Sequence, residues 1–287
     1  MGFFLEVTLG GLMAGVLYAL VALGFVLIFK ASGVFNFAQG AMVLFAALSL
    51  AVQGDRNAHA SSIWWWVGLA SVGTGLMATL GVSYFLDGFG QTVWGSDIYK
   101  IDLGIAKEPV MILEGVFQGG LLVNKEDFAA AVVAAALVGG LALFFQKTAT
   151  GRALRAVADD HQAAQSIGIP LNRIWVIVWS VAGLCAIVAG VIWGSKLGVQ
   201  FSLSQIALKA LPVVILGGFT SVTGAIVGGL IIGVGEKMAE VFLGPILVKA
   251  FDLAGGGIEN WFAYALALLF LLVRPEGLFG EKHIDRV

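Results

Sequence analysis

The sequence predicts an all-α integral membrane protein, a polytopic bundle of about seven to eight transmembrane helices with broken or re-entrant segments. The first reason is composition, because 59% of the 287 residues are hydrophobic and 12% are charged, against roughly 25% charged residues in soluble domains. The second is that the apolar residues form blocks long enough to cross a bilayer as helices. The third is a content of 40 glycines, several in G-x-x-x-G pairs that let membrane helices approach closely.

Seven blocks lack Asp, Glu, Lys and Arg over a membrane-crossing length or close to it. The first has no basic segment before it and is too long for the apolar part of a signal peptide, so we expect it to remain in the mature protein. The last is the shortest. The blocks comprise residues 7–29, 31–53, 61–86, 128–146, 174–195, 210–235 and 260–273.

The basic residues between the blocks predict the orientation of the chain. Residues 147–173 form a basic loop, and such loops stay in the cytoplasm. The C-terminal tail also carries Lys and Arg, so residues 174–273 should cross the membrane an even number of times. Four crossings require 206–219 to form a separate short segment, broken or re-entrant, that lines a cavity or is covered by protein.

The whole chain, 1–287, is expected to form a single transmembrane domain with two polar excursions. Residues 87–127 mix charges with short apolar runs and are expected on the extracytoplasmic side. Residues 150–168 are expected on the cytoplasmic side. Trp64, Trp65 and Trp66 are expected at a membrane interface, where amphipathic rings are favoured.

No catalytic or metal site is indicated. The histidines at 59, 161 and 283 form no metal-binding pair, and Cys185 has no second cysteine to join. No G-x-x-x-x-G-K-[ST] motif occurs, which excludes nucleotide hydrolysis by a P-loop in this chain. We therefore expect a non-catalytic protein without a cofactor. The net charge of −2 gives no reason to expect a nucleic-acid partner.

The polar stretch from residue 148 to 170 predicts one short amphipathic helix from Arg152 to Ile167. Thr150 can cap its first turn, and Gly168 followed by Pro170 can end it. Five residues fall on one face at helical spacing. The alternative to a protein-binding helix is a helix that lies on the bilayer surface. The face comprises Leu154, Val157, His161, Ala164 and Ile167.

Several sequence motifs resemble a known family. Q-A-A-Q-S-I-G at 162–168 resembles a relaxed form of the E-A-A-x-x-x-G coupling loop of ABC importer permeases, with Gln162 in the acidic position. Further motifs resemble the branched-chain amino acid permease family of the LivH type, in the right order and over most of the chain. They are G-V-L-Y-A-L-V-A-L-G-F-V-L-I-F (15–29), G-V-F-N-F-A-Q-G (33–40), G-R-A-L-R-A-V-A-D-D (151–160), S-I-G-I-P (166–170), L-G-G-F-T-S-V-T-G-A-I-V-G-G (216–229) and R-P-E-G-L-F-G (274–280).

The resemblance implies a multi-pass permease subunit of a bacterial ABC importer in the inner membrane, for branched-chain or related amino acids. The implied partners are a second, LivM-type permease, cytoplasmic ATP-binding subunits and a periplasmic amino-acid-binding protein. The choice among amino acids, amides and urea-like solutes stays open. The alternative is an ion-coupled secondary carrier or channel, which usually keeps an ionisable residue within a span. Here such residues lie at block ends: Glu6, Lys30, Lys196, Lys209, Glu236 and Lys237.

One departure from the family pattern concerns residues 61–86. The family carries a basic segment of the type I-E-R-x-x-x-R-P-L between its third and fourth spans, and this chain has no such segment there. The motif L-M-A-T-L-G at 76–81 resembles the start of the fourth span. The third and fourth spans are therefore expected to be fused or shortened.

Three sets of site residues follow from the motifs and the resemblance. Asn36 and Gln39 are the first candidates for the substrate pathway, because a broken helix can present amides to a zwitterion; the alternative is that they cap the second span. Weaker pathway candidates are Ser202, Ser204 and Gln205. The resemblance assigns ATPase coupling to Arg152, Arg155, Asp159, Asp160, Ala163, Ala164 and Gly168. Close helix packing is expected at Gly217, Gly218, Gly224, Gly228 and Gly229.

Overall fold

The computed structural model describes residues 2–53, 76–105, 108–112, 120–251 and 257–280. These ranges are mostly helical and include one antiparallel hairpin. They also include a 3-10 turn at Phe201–Gln205 and a π-helical turn at Ala239–Leu243. The elements are α1 Gly2–Ser32, α2 Gln39–Gln53, α3 Leu76–Trp94, β1 Pro109–Ile112, β2 Leu121–Asn124, α4 Lys125–Lys147, α5 Ala149–Asp159, α6 His161–Ser166, α7 Leu171–Leu197, α8 Ile206–Gly217, α9 Val222–Met238, α10 Gly244–Phe251 and α11 Ile258–Val273.

Three of these helices, α1, α4 and α7, are long and apolar enough to cross a membrane. The broken pair formed by Phe201–Gly217 and Val222–Ala250, which bends by 115°, is a fourth candidate span. The helices Gln39–Ala51 and Trp261–Val273 are apolar but shorter. The described residues thus form a multi-pass helical membrane protein with three to four candidate spans by length and composition. The count of seven to eight stays a prediction.

The described part of the predicted polar excursion, 87–127, contains regular secondary structure. Helix α3 continues to Trp94, and Gly95, with φ of +77°, ends it. Farther along, β1 pairs with β2 in antiparallel register, with Pro109 opposite Asn124. This region therefore contributes the second half of α3 and an antiparallel strand pair, and its extracytoplasmic location stays a prediction. Trp64, Trp65 and Trp66 lie outside the described residues.

The chain divides into two compact units. The first unit contains residues 1–20, 104–138 and 209–287, and the second contains 21–103 and 139–208. Helices α1, α4 and α8 each contribute residues to both units. Three of the four boundaries therefore fall inside helices, and the fourth, between Leu103 and Gly104, falls in a loop.

In the first unit, glycine allows the backbones of α1 and α9 to touch. A Cβ atom on Gly15 would lie 2.6 Å from the carbonyl oxygen of Gly229, and one on Gly11 would lie 2.7 Å from the Cα of Val234. No larger residue fits at either position without separating the helices. Because lipid is as apolar as the side chains, this close van der Waals contact is what holds such helices together.

In the second unit, α2 is the central helix and packs against α7 and α3. A Cβ atom on Gly190 of α7 would lie 2.5 Å from the carbonyl oxygen of Val43 in α2. The interior between them is apolar and includes Leu44, Leu48 and Cys185, all at most 2% exposed. This packing fixes the start of α2, where the predicted pathway amides lie.

Candidate functional site

Asn36 lies in the turn between α1 and α2, Gln39 is the first residue of α2, and both are fully buried. Gly33, with φ of +68°, lets the chain leave α1. Asn36 Oδ1 accepts a hydrogen bond from the Ala38 amide at 3.1 Å, and its Nδ2 donates to Gln39 Oε1 at 3.4 Å. Asn36 therefore shapes the turn before α2.

The side chain of Gln39 joins two helices of the second unit. Its Nε2 donates to the main-chain oxygen of Ala182 in α7 across 3.5 Å. A Cβ atom on Gly24 of α1 would meet the Gln39 amide, so glycine there makes room for it. Gln39 is thus satisfied inside the protein, and its contact with a solute stays a prediction.

The weaker pathway candidates lie in the 3-10 turn before α8. Ser202 and Gln205 are exposed, whereas the Ser204 hydroxyl donates to the Phe201 carbonyl oxygen at 2.8 Å. A Cβ atom on Gly40 would meet the main-chain oxygen of Ser204. The structure therefore brings this turn against the start of α2, close to the buried amides.

The predicted coupling helix is two helices, so the prediction of one continuous helix from Arg152 to Ile167 was wrong. Asp160 separates α5 from α6 with φ of −156° and ψ of 114°. Its Oδ1 accepts hydrogen bonds from the amides of Gln162 at 2.8 Å and Ala163 at 3.0 Å. A short acidic side chain competes for backbone amides in this way, and it starts a new helix instead of continuing the old one.

The start of α5 is also shifted from the prediction. Thr148, not Thr150, is the N-cap, because its Oγ1 accepts a hydrogen bond from the Gly151 amide at 3.2 Å. Thr150 lies within the first turn of α5.

The predicted apolar face is present except at its end. Leu154, Val157 and Ala164 are at most 2% exposed. The imidazole Nε2 of His161 lies 3.1 Å from the main-chain oxygen of Ala31. Ile167 is instead 73% exposed, because α6 has already ended at Ser166.

The two arginines of α5, Arg152 and Arg155, bind the end of α4. Arg155 Nη1 donates to the main-chain oxygen of Phe145 at 3.0 Å, and Arg152 Nη1 donates to that of Lys147 at 3.4 Å. The last carbonyls of a helix lack partners within it and carry partial negative charge, so they favour cations. Gly151 lies directly against the Phe145 backbone. The arginines therefore fix α5 to the end of a candidate span.

The exposed side of α6 is formed by small and polar residues. Ala163 and Gln165 are exposed, whereas Ala164 faces the protein interior. Only one of the two alanines predicted to permit close approach by a partner is therefore available. Asp159 and Asp160 are exposed as well. Gly168 adopts φ of +85° with open space around it, so the chain turns there toward α7.

The five glycines predicted to allow close packing lie on α8, on α9 and in the turn between these helices. Gly217 and Gly224 meet backbone to backbone, and a Cβ atom on Gly228 would lie 2.7 Å from the Val213 carbonyl oxygen. Gly218 has φ of +102° in the turn. The remaining glycine, Gly229, faces α1 instead.

The segment after α11 binds the turn between α8 and α9, a contact that the sequence does not predict. Leu278 and Phe279 donate their amides to the carbonyl oxygens of Leu216 at 2.8 Å and Gly217 at 3.1 Å. A Cβ atom on Gly277 would lie 2.7 Å from the Gly218 amide nitrogen. The available signal was the glycine spacing in R-P-E-G-L-F-G, which requires close backbone approach.

A buried charge was also missed. Glu236 lies at the end of an apolar block in the sequence, but its helix continues through the π-helical turn into α10, and the residue is 6% exposed. Tyr18 of α1 donates its hydroxyl to Glu236 Oε1 at 3.1 Å. Lys209 Nζ of α8 lies 3.6 Å from the same oxygen. Three helices of the first unit thus meet at one carboxylate.

These features define a class of protein: a multi-pass helical membrane protein with a bent helix pair and a short polar helical segment fixed to a span. No group of three or more His, Cys, Asp or Glu that could hold a metal occurs in the part of the chain that the structure describes. The family model described as branched-chain amino acid transport system / permease component matches residues 70–273. The chain belongs to this family.

Individual relatives are similar in sequence to this chain over nearly its whole length. It is 26% identical to the high-affinity branched-chain amino acid transport system permease protein LivH of Salmonella typhimurium, over 99% of this chain and 98% of the relative. The identity and both coverages are the same for the corresponding permease protein BraD of Pseudomonas aeruginosa. The solved structure of PsaBC from Streptococcus pneumoniae in complex with Fab shares the fold, with a TM-score of 0.53, 14% identity and coverage of 93% and 91%.

Proposed function

We infer that this chain is the permease subunit of a bacterial ABC importer in the inner membrane, with a path for branched-chain or related amino acids. The observation that carries this inference is the family match together with similarity over 99% of the chain to LivH and BraD. The partners are a second, LivM-type permease, ATP-binding subunits that hydrolyse ATP, and a periplasmic amino-acid-binding protein. The chain itself is not catalytic.

The coupling segment, α5 and α6, is proposed to dock on an ATP-binding subunit in the cytoplasm. Its exposed side at Ala163 is small enough for close approach by a partner. Its other side is fixed to α4 by Arg155 and leads into α7 through Gly168. A rigid-body shift of this segment would therefore move two candidate spans, provided that its contacts differ between the two states of the partner.

The membrane domain is proposed to contain about seven to eight spans, as apolar blocks of this length favour. Six of the seven blocks contain described apolar helices. The remaining block, 61–86, lies partly outside the described residues, and its end forms the start of α3. The hairpin β1–β2 is proposed to be extracytoplasmic. This arrangement keeps the basic loop 147–173 in the cytoplasm, as short basic loops favour.

The substrate pathway is proposed to pass the turn before α2 and the 3-10 turn before α8. The support is that both turns interrupt helices, lie against one another, and carry amides and hydroxyls in an apolar region. Because Asn36 and Gln39 are fully buried, they reach a solute only in a state in which α2 has moved.

Co-purification tests the proposal against the carrier alternative. The chain is expressed from its native neighbourhood of genes with an affinity tag and extracted in mild detergent. The proposal predicts that an ATP-binding subunit and a second permease are recovered in stoichiometric amounts. Recovery of the tagged chain alone, active in gradient-driven uptake, would instead establish a secondary carrier.

A further inference from the structure

The ion pair between Lys209 and Glu236 has an unusual position for a membrane protein. Both residues belong to the broken helix pair that is apolar enough to span. Glu236 has 14 residues of α9 before it and helical structure after it as far as Phe251. Charges at such positions are costly and usually line solute paths. Their presence between glycine-packed helices therefore requires an explanation beyond packing.

The two members of the pair differ in exposure. The Glu236 side chain is 8% exposed, whereas that of Lys209 is 35% exposed. Lys209 Nζ lies 3.6 Å from Glu236 Oε1, farther than a charge-assisted hydrogen bond of about 2.8 Å. Glu236 is held more closely by Tyr18, at 3.1 Å. The Glu236 carboxylate is thus held inside the protein, and the Lys209 ammonium is the more accessible of the two charged groups.

The neighbouring contacts keep this arrangement rigid. Helices α8 and α9, which carry the ion pair, approach each other closely at Val213 and Gly228. On the other side of α9, the glycines of α1 bring Tyr18 toward the carboxylate. The ammonium of Lys209 is therefore presented from a scaffold whose backbones cannot shift without losing contact.

We propose that Lys209 binds the carboxylate of the transported amino acid within the membrane, and that Glu236 and Tyr18 act as positioning residues that hold it charged. The inference rests on the proposed function, because it takes the cargo to be a zwitterionic amino acid. The pair is neutral overall, and a zwitterion adds no net charge to it. A simple carboxylate or an amine would leave one uncompensated charge in a low-dielectric site, which is costly.

The test uses the complete importer in membrane vesicles and the parental leucine uptake as reference. Lys209→Met should lower uptake by about tenfold or more, the usual effect of losing one charged hydrogen-bonding contact. Lys209→Arg keeps the charge and should stay within about threefold of the parent. Lys237→Met is the matched control, because Lys237 is the next residue to Glu236 but pairs with Glu240 on the surface, and it should transport like the parent.

A chemical reporter separates binding from a structural role. A cysteine at the exposed position Leu208, with Cys185→Ser, reports access by its rate of reaction with a methanethiosulfonate reagent. Millimolar leucine should slow this reaction, whereas leucinamide and 4-methylpentanoate should not. Lys209→Met should abolish the protection by leucine. Glu236→Gln should transfer protection to 4-methylpentanoate, since the site then carries a net positive charge.

Protection by leucine that survives Lys209→Met, or equal protection by leucinamide, would overturn the inference. If Lys209→Met does not assemble, the Glu236→Gln protein decides, and an unchanged preference for leucine overturns the inference. These outcomes leave ATP-driven uptake by the parent intact. If the parental importer itself shows no ATP-driven leucine uptake, the proposed function has failed.

Discussion

The guanidinium of Arg155 donates a hydrogen bond to the main-chain oxygen of Phe145 across 3.0 Å. The two residues belong to different helices, α5 and α4, and the bond joins the proposed coupling segment to a candidate span. Arg152 makes a longer bond of 3.4 Å to the main-chain oxygen of Lys147, the last residue of α4. If α5 moves on a partner, as proposed, Arg155 and the close contact at Gly151 are the contacts that would carry the movement to α4.

Arg155→Met should weaken coupling more than Arg152→Met does. The lost bond to a charged donor is worth about 1–3 kcal/mol, and the longer bond of Arg152 should contribute less. The measurement is ATP hydrolysis by the reconstituted complex with and without the loaded binding protein. We expect Arg155→Met to lose most of the stimulation while basal hydrolysis persists, and Arg152→Met to retain most of it. Equal stimulation in both variants would contradict the assignment.

Ala163→Asp should abolish stimulated hydrolysis without affecting membrane insertion. Ala163 is exposed on α6, so a carboxylate there is harmless until a partner covers it and leaves it unpaired. Ala164→Asp is a poorer test, because Ala164 is 2% exposed and the charge would be buried in the chain itself. Asn172→Asp serves as a control for added charge at an exposed polar position outside α6. If Ala163→Asp retains stimulation, α6 does not bind the ATP-binding subunit through this side.

Gly224→Leu and Gly228→Leu should prevent assembly of the membrane domain. Each substitution places a side chain where α8 and α9 meet backbone to backbone, and separating them should cost roughly 3 kcal/mol or more. Gly183→Leu in α7 is the control, because a Cβ atom there meets nothing within 4 Å. The yield of the detergent-purified complex measures the effect. Normal yields from both packing variants would show that this contact is not required.

Gly277→Ala should destabilise the first unit more than Gly257→Ala. Both glycines have positive φ, +80° and +74°, but only Gly277 also lies against the backbone of Gly218. The left-handed conformation costs alanine about 1–2 kcal/mol at either site, and the contact adds to it only at Gly277. Thermal unfolding in detergent should give a lower Tm for Gly277→Ala. Equal Tm values would mean that the C-terminal turn does not stabilise the bent pair.

Cysteines at Gln162 or Gln165, in a background with Cys185→Ser, should report the sidedness of the coupling segment. Both residues are exposed, and the basic loop that contains them is expected in the cytoplasm. An impermeant thiol reagent should label them in inverted vesicles and not in intact cells. Labelling from the periplasmic side would reverse the proposed orientation of the whole chain.

Local patterns in the sequence predicted much of the fold, and long-range contacts account for what they missed. Apolar blocks predicted the helices because hydropathy is a property of consecutive residues. The break at Asp160 was missed because a cap and an ordinary helical position can carry the same residue. The contact of Tyr18 with Glu236 was missed because 218 residues separate them. For the same reason, the sequence does not reveal that the Gln39 amide bonds the main-chain oxygen of Ala182 in α7, 143 residues away.

The most direct measurement of the central claim is leucine uptake by proteoliposomes that contain the chain, its second permease and the ATP-binding subunits, with loaded binding protein outside. An ATP-driven importer should show uptake that requires ATP on the inside and continues when ionophores collapse the proton and sodium gradients. Uptake that needs no ATP and stops when the gradients collapse would contradict it.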